Sequence, residues 1–171
     1  DESDGTLLQF EPEHSLILNV DEEHLDYFES FDAISAEFEA FGAQTSGTVF
    51  YCADDPNLVK MFGTREQAVS YGFNPLADYC IELIKDKRRQ GVFEVWRGDD
   101  RLGEFSTRLL GAKNVSNAGG VIAFLSENHF GAEDIACAIS NFKGAQRRQQ
   151  LLFQGNDIRV YEDYAHHPLE I

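Results

Sequence analysis

The chain has 171 residues, of which 43% are apolar and 26% charged, so it is long enough for one domain with a buried core and is not compositionally disordered. Its 14 Lys and Arg against 30 Asp and Glu give a net charge of −16, which argues against nucleic acid or an anionic membrane surface as a partner. The apolar runs are too short to cross a bilayer, and the acidic start Asp1-Glu2-Ser3-Asp4 is unlike a signal peptide, so we expect no membrane and a cytoplasmic setting.

In the first part of the chain, two apolar runs predict buried strands. Residues 15–20 and 47–52 are continuous and mostly apolar, which suits strands that are covered on both faces. Between them, aromatic and apolar residues at helical intervals predict a helix over 31–41. The turn that ends at Pro56 predicts a short helix over 56–61.

The middle of the chain predicts a helix followed by antiparallel strands. Residues 76–89 carry apolar side chains at helical spacing and are followed by Gly91, so they predict an amphipathic helix. The basic residues between 85 and 89 are interpreted as a solvated helix end, where cations suit the helix dipole. Residues 92–110 alternate apolar and polar side chains around a glycine turn and predict an antiparallel hairpin.

The last part of the chain predicts two helices and a strand pair. Asn114 and Ser116 are plausible caps for a helix that runs through the apolar residues 118–125. The remaining elements are a helix over 133–142 and strands over 149–153 and 157–161.

These elements together predict the fold class. Buried strands that alternate with helices are typical of α/β proteins with a parallel sheet, whereas an alternating hairpin is typical of an antiparallel one. We therefore expect a mostly parallel sheet flanked by helices, with a small antiparallel β subdomain at about 92–110.

The three cysteines give no sign of a metal site or a disulfide framework. Cys52, Cys80 and Cys137 are odd in number, far apart and without ligand spacing. We expect buried free thiols in a reducing compartment.

His24 lies in a carboxylate-rich turn just after the first predicted strand. In open α/β sheets, ligands bind at the carboxyl ends of the strands. A neutral imidazole beside Asp21, Glu23 and Asp26 is able to complete a site for a hard cation whose other ligands are phosphate oxygens. Alternatively, His24 caps the next helix, and the spacing leaves both interpretations open.

Other polar groups are suited to nucleotide chemistry. Asn114 and Asn117 place two amides one turn apart, which suits the donor and acceptor edge of a purine, although Asn is also a common helix cap. Arg147 and Arg148 suit bidentate contact with phosphate, although exposed Arg pairs are common. The segment Tyr164-Ala165-His166-His167-Pro168 is unusual because adjacent imidazoles followed by Pro make poor core and poor regular structure.

Four blocks of the sequence resemble the Mur ligase family. They occur in the family's order, and four ordered blocks are far more specific than any single one. Within the family, they look most like the branch that joins L-alanine to UDP-N-acetylmuramate. The blocks are Asn19-Val20-Asp21-Glu22-Glu23-His24-Leu25-Asp26, Gly111-Ala112-Lys113-Asn114-Val115-Ser116-Asn117-Ala118, Gly144-Ala145-Gln146-Arg147-Arg148 and Asp163-Tyr164-Ala165-His166-His167-Pro168.

The resemblance implies an enzyme of bacterial peptidoglycan synthesis that uses ATP and Mg²⁺ to form a peptide bond through an acyl phosphate. UDP-N-acetylmuramate and L-alanine are then the substrates, bound largely by domains outside this chain. The implied site residues are His24 for magnesium, Asn114 and Asn117 for adenine, Arg148 for the γ-phosphate, Asp163 for ribose, and His166 and His167 at the entry to the amino-acid side.

The resemblance also predicts the domain organisation. The family's glycine-rich phosphate loop with Gly-Lys-Thr has no counterpart in the sequence, and the family order places that loop upstream of Asp1. We expect residues 1–161 to be part of the central ATP-binding domain and residues 162–171 to begin the C-terminal domain. The chain alone is then expected to be inactive.

Two alternatives stay open at this point. A sister ligase that joins UDP-N-acetylmuramate to a preformed tripeptide has a similar central domain. A non-catalytic α/β binding module would use the same Asn, Arg and His blocks as helix caps and surface charge. Binding of ATP with magnesium separates the second alternative from a ligase.

Overall fold

The computed structural model describes residues 5–22, 27–84 and 91–165. None of the helices in these ranges has the length and apolar character needed to span a bilayer. The elements are β1 Ser15–Ile17, α1 Phe31–Gln44, β2 Val49–Cys52, α2 Pro56–Phe62, β3 Ala68–Gly72, β4 Tyr79–Leu83, β5 Val92–Arg97, β6 Asp100–Ser106, α3 Ala112–Glu127, α4 Ala132–Asn141, β7 Gln150–Gly155 and β8 Ile158–Glu162.

Six strands form one sheet in the order in which they occur, from β1 to β6. β1 to β4 are mutually parallel, with Ser15 beside Val49 and Val49 beside Ala68. β5 pairs with both β4 and β6 in antiparallel fashion, so the hairpin expected at 92–110 forms and extends the main sheet. β7 and β8 make a separate small antiparallel sheet. The predicted α/β class, a mostly parallel sheet with a small antiparallel part, is confirmed.

β2 and the helices on either side of it form where the sequence predicts. All four residues of β2 are buried. α1 begins after Ser30, whose Oγ accepts a hydrogen bond of 3.3 Å from the Ala33 N–H. α2 begins with Pro56 and ends before Gly63. β1 is shorter than predicted and ends at Ile17.

The helix predicted over residues 76–89 is wrong for the part that the structure describes. Tyr79–Leu83 is strand β4, which pairs with β5 along its whole length. Tyr79 and Ile81 are buried, as alternate residues of a strand are when one face packs on the core. The apolar spacing fits both periods, and pairing with β3 and β5 favours the strand. The basic residues between 85 and 89 lie outside the described residues.

α3 begins earlier than predicted, and its N-cap is Gly111. Gly111 has a φ of 88°, a left-handed conformation that favours glycine. Asn114 and Ser116 therefore lie inside the helix, and the prediction that one of them caps it is wrong. Asn114 and Asn117 remain one turn apart on the same helix.

Two adjacent glycines let α3 lie close to the sheet. A β-carbon on Gly119 would collide with the side chain of Ile81, and one on Gly120 would lie 2.8 Å from Tyr71 Cζ and 3.0 Å from Leu16 Cδ1. α3 packs on β2, β3 and β4. The glycine pair therefore sets the height of α3 above the sheet.

The three cysteines are free, but they differ in exposure. Cys52 is buried and Cys80 is half-buried, whereas Cys137 is exposed. The prediction of a buried thiol is wrong for Cys137. Cys137 lies in α4 midway between Ile135 and Ile139, which are buried. Its side chain therefore points away from the buried face of the helix.

The last two strands confirm the predicted strand pair. β7 and β8 are joined by a tight turn in which Asn156 and Asp157 have φ values of 49° and 62°. Two consecutive left-handed residues are typical of short hairpin turns and favour Asn and Asp. Most residues of this hairpin are exposed.

Candidate functional site

Asn114 lies in the first turn of α3, where its side chain binds two acceptors. Its Nδ2 donates hydrogen bonds of 2.7 Å to the Leu110 carbonyl and 3.2 Å to Gln149 Oε1. The second bond joins α3 to the segment before β7. Asn114 is half-buried, so part of its amide stays accessible to a ligand.

Gln149 also binds Asp163. The Gln149 backbone N–H donates a hydrogen bond of 3.1 Å to Asp163 Oδ2, and Asp163 Oδ1 accepts one of 3.0 Å from the Ala165 N–H. A carboxylate has about four lone-pair positions, so both oxygens can accept further bonds. The structure thus brings two residues predicted to bind nucleotide, Asn114 and Asp163, to the same residue.

Arg148 directly precedes Gln149 and is exposed. The neighbouring Arg147 fastens this segment to the one after β8: its Cζ lies 4.4 Å from the centre of the Tyr164 ring, and its carbonyl accepts a 2.7 Å hydrogen bond from the Tyr164 N–H. Arg148 therefore lies in the segment that binds both Asn114 and Asp163. The expected pair of arginines divides into one that packs on an aromatic ring and one at the candidate site.

The backbone of this segment has an uncommon conformation. Arg147 and Gln149 have φ values of 60° and 45°, in the left-handed region that residues other than glycine seldom adopt. Gly144 is also left-handed, and a β-carbon there would lie 2.9 Å from Leu109 Cδ2. Conformations of this kind cost free energy and concentrate at functional sites.

The other residues predicted for the site are Asn117, His24, His166 and His167. Asn117 is exposed and lies three residues after Asn114, on the same side of α3. His24, His166 and His167 lie outside the described residues. In the ranges that the structure describes, no three His, Cys, Asp or Glu side chains are grouped so as to hold a metal ion.

Two carboxylates at the end of β2 have roles that the sequence did not reveal. Asp55 Oδ2 accepts a hydrogen bond of 2.8 Å from the Val20 N–H, and its Oδ1 caps the first turn of α2. Asp54 accepts hydrogen bonds of 2.9 and 2.8 Å from two N–H groups just after β3. The two side chains tie together the carboxyl ends of β1, β2 and β3. The Asp-Pro start of α2 is the sequence signal for the cap, but nothing in the sequence indicates the bond to Val20.

Cys52 lies beside these carboxylates and is unsuited to nucleophilic chemistry. Its Sγ lies 3.8 Å from Asp54 Oδ2 and 3.7 Å from Ser116 Oγ. Burial raises the pKa of the Cys52 thiol, so the protonated form is favoured. Cys52 is therefore a packing residue between β2 and α3.

A separate pocket of about 610 Å³ lies at the turn of the β7–β8 hairpin. Residues 154–159 line it, and no predicted site residue is among them. The hydrogen-bonded group around Gln149 is therefore the stronger candidate for a site.

The chain belongs to the Mur ligase family, because the family description "Mur ligase middle domain" matches residues 2–125. A protein from Syntrophotalea carbinolica named UDP-N-acetylmuramate–L-alanine ligase is 41% identical over the whole of this chain. A protein of the same name from Pelotomaculum thermopropionicum is 38% identical over the whole chain. The chain spans 38% of the length of each of these curated relatives.

A solved structure has the same fold. The crystal structure of UDP-N-acetylmuramate-alanine ligase MurC from Thermotoga maritima superposes with a TM-score of 0.85 at 26% identity. The match covers 99% of this chain and 39% of that one. The family that the four sequence blocks resemble is therefore confirmed.

Proposed function

We propose that the protein is an ATP-dependent ligase that joins L-alanine to UDP-N-acetylmuramate in bacterial peptidoglycan synthesis. The observation that carries this is the network in which Asn114 and Asp163 both bind Gln149, next to Arg148. An amide, a carboxylate and a guanidinium suit a purine, a ribose hydroxyl and a phosphate, respectively. The names of the two relatives and of the Thermotoga enzyme support this choice of substrates.

Our proposal places residues 1–161 in the central ATP-binding domain and residues 162–171 at the start of the C-terminal domain. The rest of the ligase supplies the phosphate loop and most contacts with UDP-N-acetylmuramate and L-alanine. The 171 residues alone are then inactive. The cytoplasm is the proposed location, because the cysteines are free thiols and free thiols persist in reducing compartments.

The proposed reaction has two steps. The carboxylate of UDP-N-acetylmuramate first accepts the γ-phosphoryl group of ATP, and ADP is released. The amine of L-alanine then attacks the acyl phosphate, so that a C–N bond forms and phosphate leaves. Arg148 offsets the charge of the γ-phosphoryl oxygens, while Asn114 and Asn117 bind adenine and Asp163 binds ribose.

We assign His24 to magnesium binding and His166 and His167 to the entry of the amino acid. The assignment of His24 follows the family resemblance, and the Asp21 carboxylate in the same block and phosphate oxygens are ligands of the kind that magnesium prefers. Magnesium bound there would stabilise the charge on the transferring phosphoryl group.

Product release by the full-length protein tests the proposed reaction. We expect ADP and phosphate to appear only when UDP-N-acetylmuramate and L-alanine are both present, because the acyl phosphate needs a carboxylate to form and an amine to resolve it. Equal or faster release with a preformed tripeptide would assign the protein to the sister ligase. No binding of ATP with magnesium would favour a non-catalytic module.

A pair of asparagine variants tests the nucleotide site. Asn114→Ala in the full-length enzyme is expected to raise the KM for ATP about tenfold, because an adenine contact and the bond to Gln149 are lost. Asn141→Ala is the matched control, since the Asn141 Nδ2 also donates to a carbonyl four residues earlier, that of Cys137, at 2.9 Å. An equal rise in both variants would contradict the assignment of Asn114.

The magnesium assignment has its own test. His24→Ala in the full-length enzyme is expected to raise the magnesium concentration needed for half-maximal turnover and to lower turnover, with little change in Tm. A fall in Tm of several degrees with catalysis intact would instead show that His24 is a helix cap.

A further inference from the structure

The orientation of the Asn114 amide follows from its partners. A backbone carbonyl can only accept a hydrogen bond, so the atom of Asn114 that faces the Leu110 carbonyl at 2.7 Å must be the nitrogen. The second N–H of that nitrogen is directed to Gln149 Oε1. Asn114 Oδ1 is therefore the acceptor atom of this amide. Within the described residues it accepts no hydrogen bond.

The orientation of the Gln149 amide follows in turn. Because the Asn114 nitrogen donates to it, Gln149 must present its oxygen there, and its Nε2 is left as a donor. The Gln149 side chain is exposed, and its backbone is held at a left-handed φ of 45° by the bond to Asp163. The two joined amides thus leave one acceptor, Asn114 Oδ1, and one donor, Gln149 Nε2, for a ligand.

We propose that Gln149 is a specificity-determining residue of the nucleotide site, acting together with Asn114. In this arrangement Asn114 Oδ1 accepts from the 6-amino group of adenine, and Gln149 Nε2 donates to the ring nitrogen beside it, N1 or N7. This inference rests on the proposed function, which places adenine at Asn114.

The proposed pair distinguishes adenine from purines that carry an oxygen at position 6. Adenine presents a donor next to an acceptor, whereas guanine presents two acceptors, O6 and N7, on the same edge. An oxygen at position 6 would face Asn114 Oδ1 with no proton between them. A site with unpaired polar groups rejects the mismatched ligand more strongly than an apolar site does.

Binding of nucleotide analogues to the full-length protein tests the pair. ATP, ITP, 1-deaza-ATP and 7-deaza-ATP, each with magnesium at fixed salt, are titrated by calorimetry. The wild-type protein is expected to bind ITP about tenfold more weakly than ATP, and to bind one of the deaza analogues several-fold more weakly, because each change removes about one hydrogen bond. Equal affinity for all four nucleotides would overturn the inference.

The variant Gln149→Glu keeps the acceptor for Asn114 but replaces the Nε2 donor with an acceptor. It is expected to weaken ATP binding about tenfold and to abolish the difference between ATP and the sensitive deaza analogue. The added charge acts equally on both nucleotides, so their ratio isolates the contact. Gln154→Glu, the same change at an exposed position of β7, is the control and is expected to leave that ratio unchanged.

The possible outcomes are separable. If Gln149→Glu does not fold, Gln149→Met, which has no donor, must abolish the same difference. If the wild-type protein binds ATP but the deaza ratio persists in the Gln149 variants, the role of Gln149 is overturned while the proposed function stands. If the wild-type protein binds none of the nucleotides, both the proposed function and this inference are overturned.

Discussion

The six-stranded sheet and the β7–β8 hairpin carry similar side chains but bury them differently. Phe50 and Phe93 in the sheet are 0% exposed, whereas Phe153 and Ile158 in the hairpin are 53% and 58% exposed. α3 covers β2, β3 and β4, while no described helix packs extensively on β7 or β8. A strand-like sequence therefore predicts a strand but not its burial, which depends on whether a helix crosses that face.

The candidate site lies where these two regions meet. Asn114 belongs to α3 and is positioned by the sheet, whereas Gln149 directly precedes β7 and Asp163 directly follows β8. The hairpin thus brings together the two chain segments that hold Gln149 and Asp163. The candidate residues therefore lie at the base of the hairpin, next to the start of β7 and the end of β8.

The largest effect is expected from shortening an aromatic side chain in the sheet. Phe50→Ala should lower the free energy of unfolding by about 3–5 kcal/mol, because it leaves a cavity against Phe124, whose ring centre lies 5.6 Å from that of Phe50. Urea unfolding measures this. Phe153→Ala in the hairpin is the matched control and should cost less than about 1 kcal/mol. Similar losses in the two variants would contradict the comparison.

A smaller loss is expected at the polar end of the sheet. Asp55→Ala removes both the cap of α2 and the acceptor for the Val20 N–H, and should cost about 2–3 kcal/mol. Ser30→Ala removes only the cap of α1 and should cost about 1 kcal/mol. Chemical denaturation of both variants gives the difference. If the losses are equal, the bond from Asp55 to Val20 does not stabilise the sheet.

Burial in the sheet should also appear as a loss of stability at alkaline pH. Burial raises the pKa of Tyr71 above the value of about 10 expected in the unfolded chain. The stabilisation is therefore complete below about pH 10 and is lost as the pH rises, because the unfolded state releases the proton first. From pH 8 to pH 11, wild type should lose about 1.4 kcal/mol more than Tyr71→Phe. Parallel losses in the two proteins would show that Tyr71 ionises equally in both states.

The smallest effect is expected from an isosteric change in the hairpin. Val160→Thr should alter the free energy of unfolding by less than about 0.5 kcal/mol, since Val160 is 44% exposed and Thr also favours strands. The same change at Val49, which is 0% exposed, buries a hydroxyl and should cost about 2 kcal/mol. Thermal and urea unfolding of both variants provide the measurement. A large effect at Val160 would indicate that the hairpin is covered in solution.

The elements with local signals were predictable from the sequence. β2 is a continuous apolar run, and α2 has Pro56 at its start and Gly63 after its end. β4 was not predictable, because Tyr79 and Leu83 fit helical and strand spacing equally and the choice depends on pairing with β5. β3, Ala68–Gly72, has no continuous apolar run and was not predicted; its pairing with β2 and β4 identifies it.

The candidate site was predictable in its residue types but not in its connections. The four sequence blocks gave Asn114, Arg148 and Asp163, and the structure places these in neighbouring segments. Gln149 was not found, because it is recognised only through bonds to residues 35 and 14 positions away. Local patterns do not contain information about contacts of that separation.

The glycine pair beneath α3 makes the proposed nucleotide site sensitive to how closely that helix packs on the sheet. Asn114 lies five residues before Gly119, about 8 Å along the helix axis. A methyl group added at Gly119 or Gly120 would push α3 away from the sheet. Because a helix is stiff, Asn114 would move with it, and the distance from the Asn114 amide to Gln149 would change. We therefore expect substitutions at Gly119 and Gly120, which are not among the proposed contact residues, to alter the affinity for nucleotide. Selection for altered nucleotide use should find substitutions there as well as in the pocket.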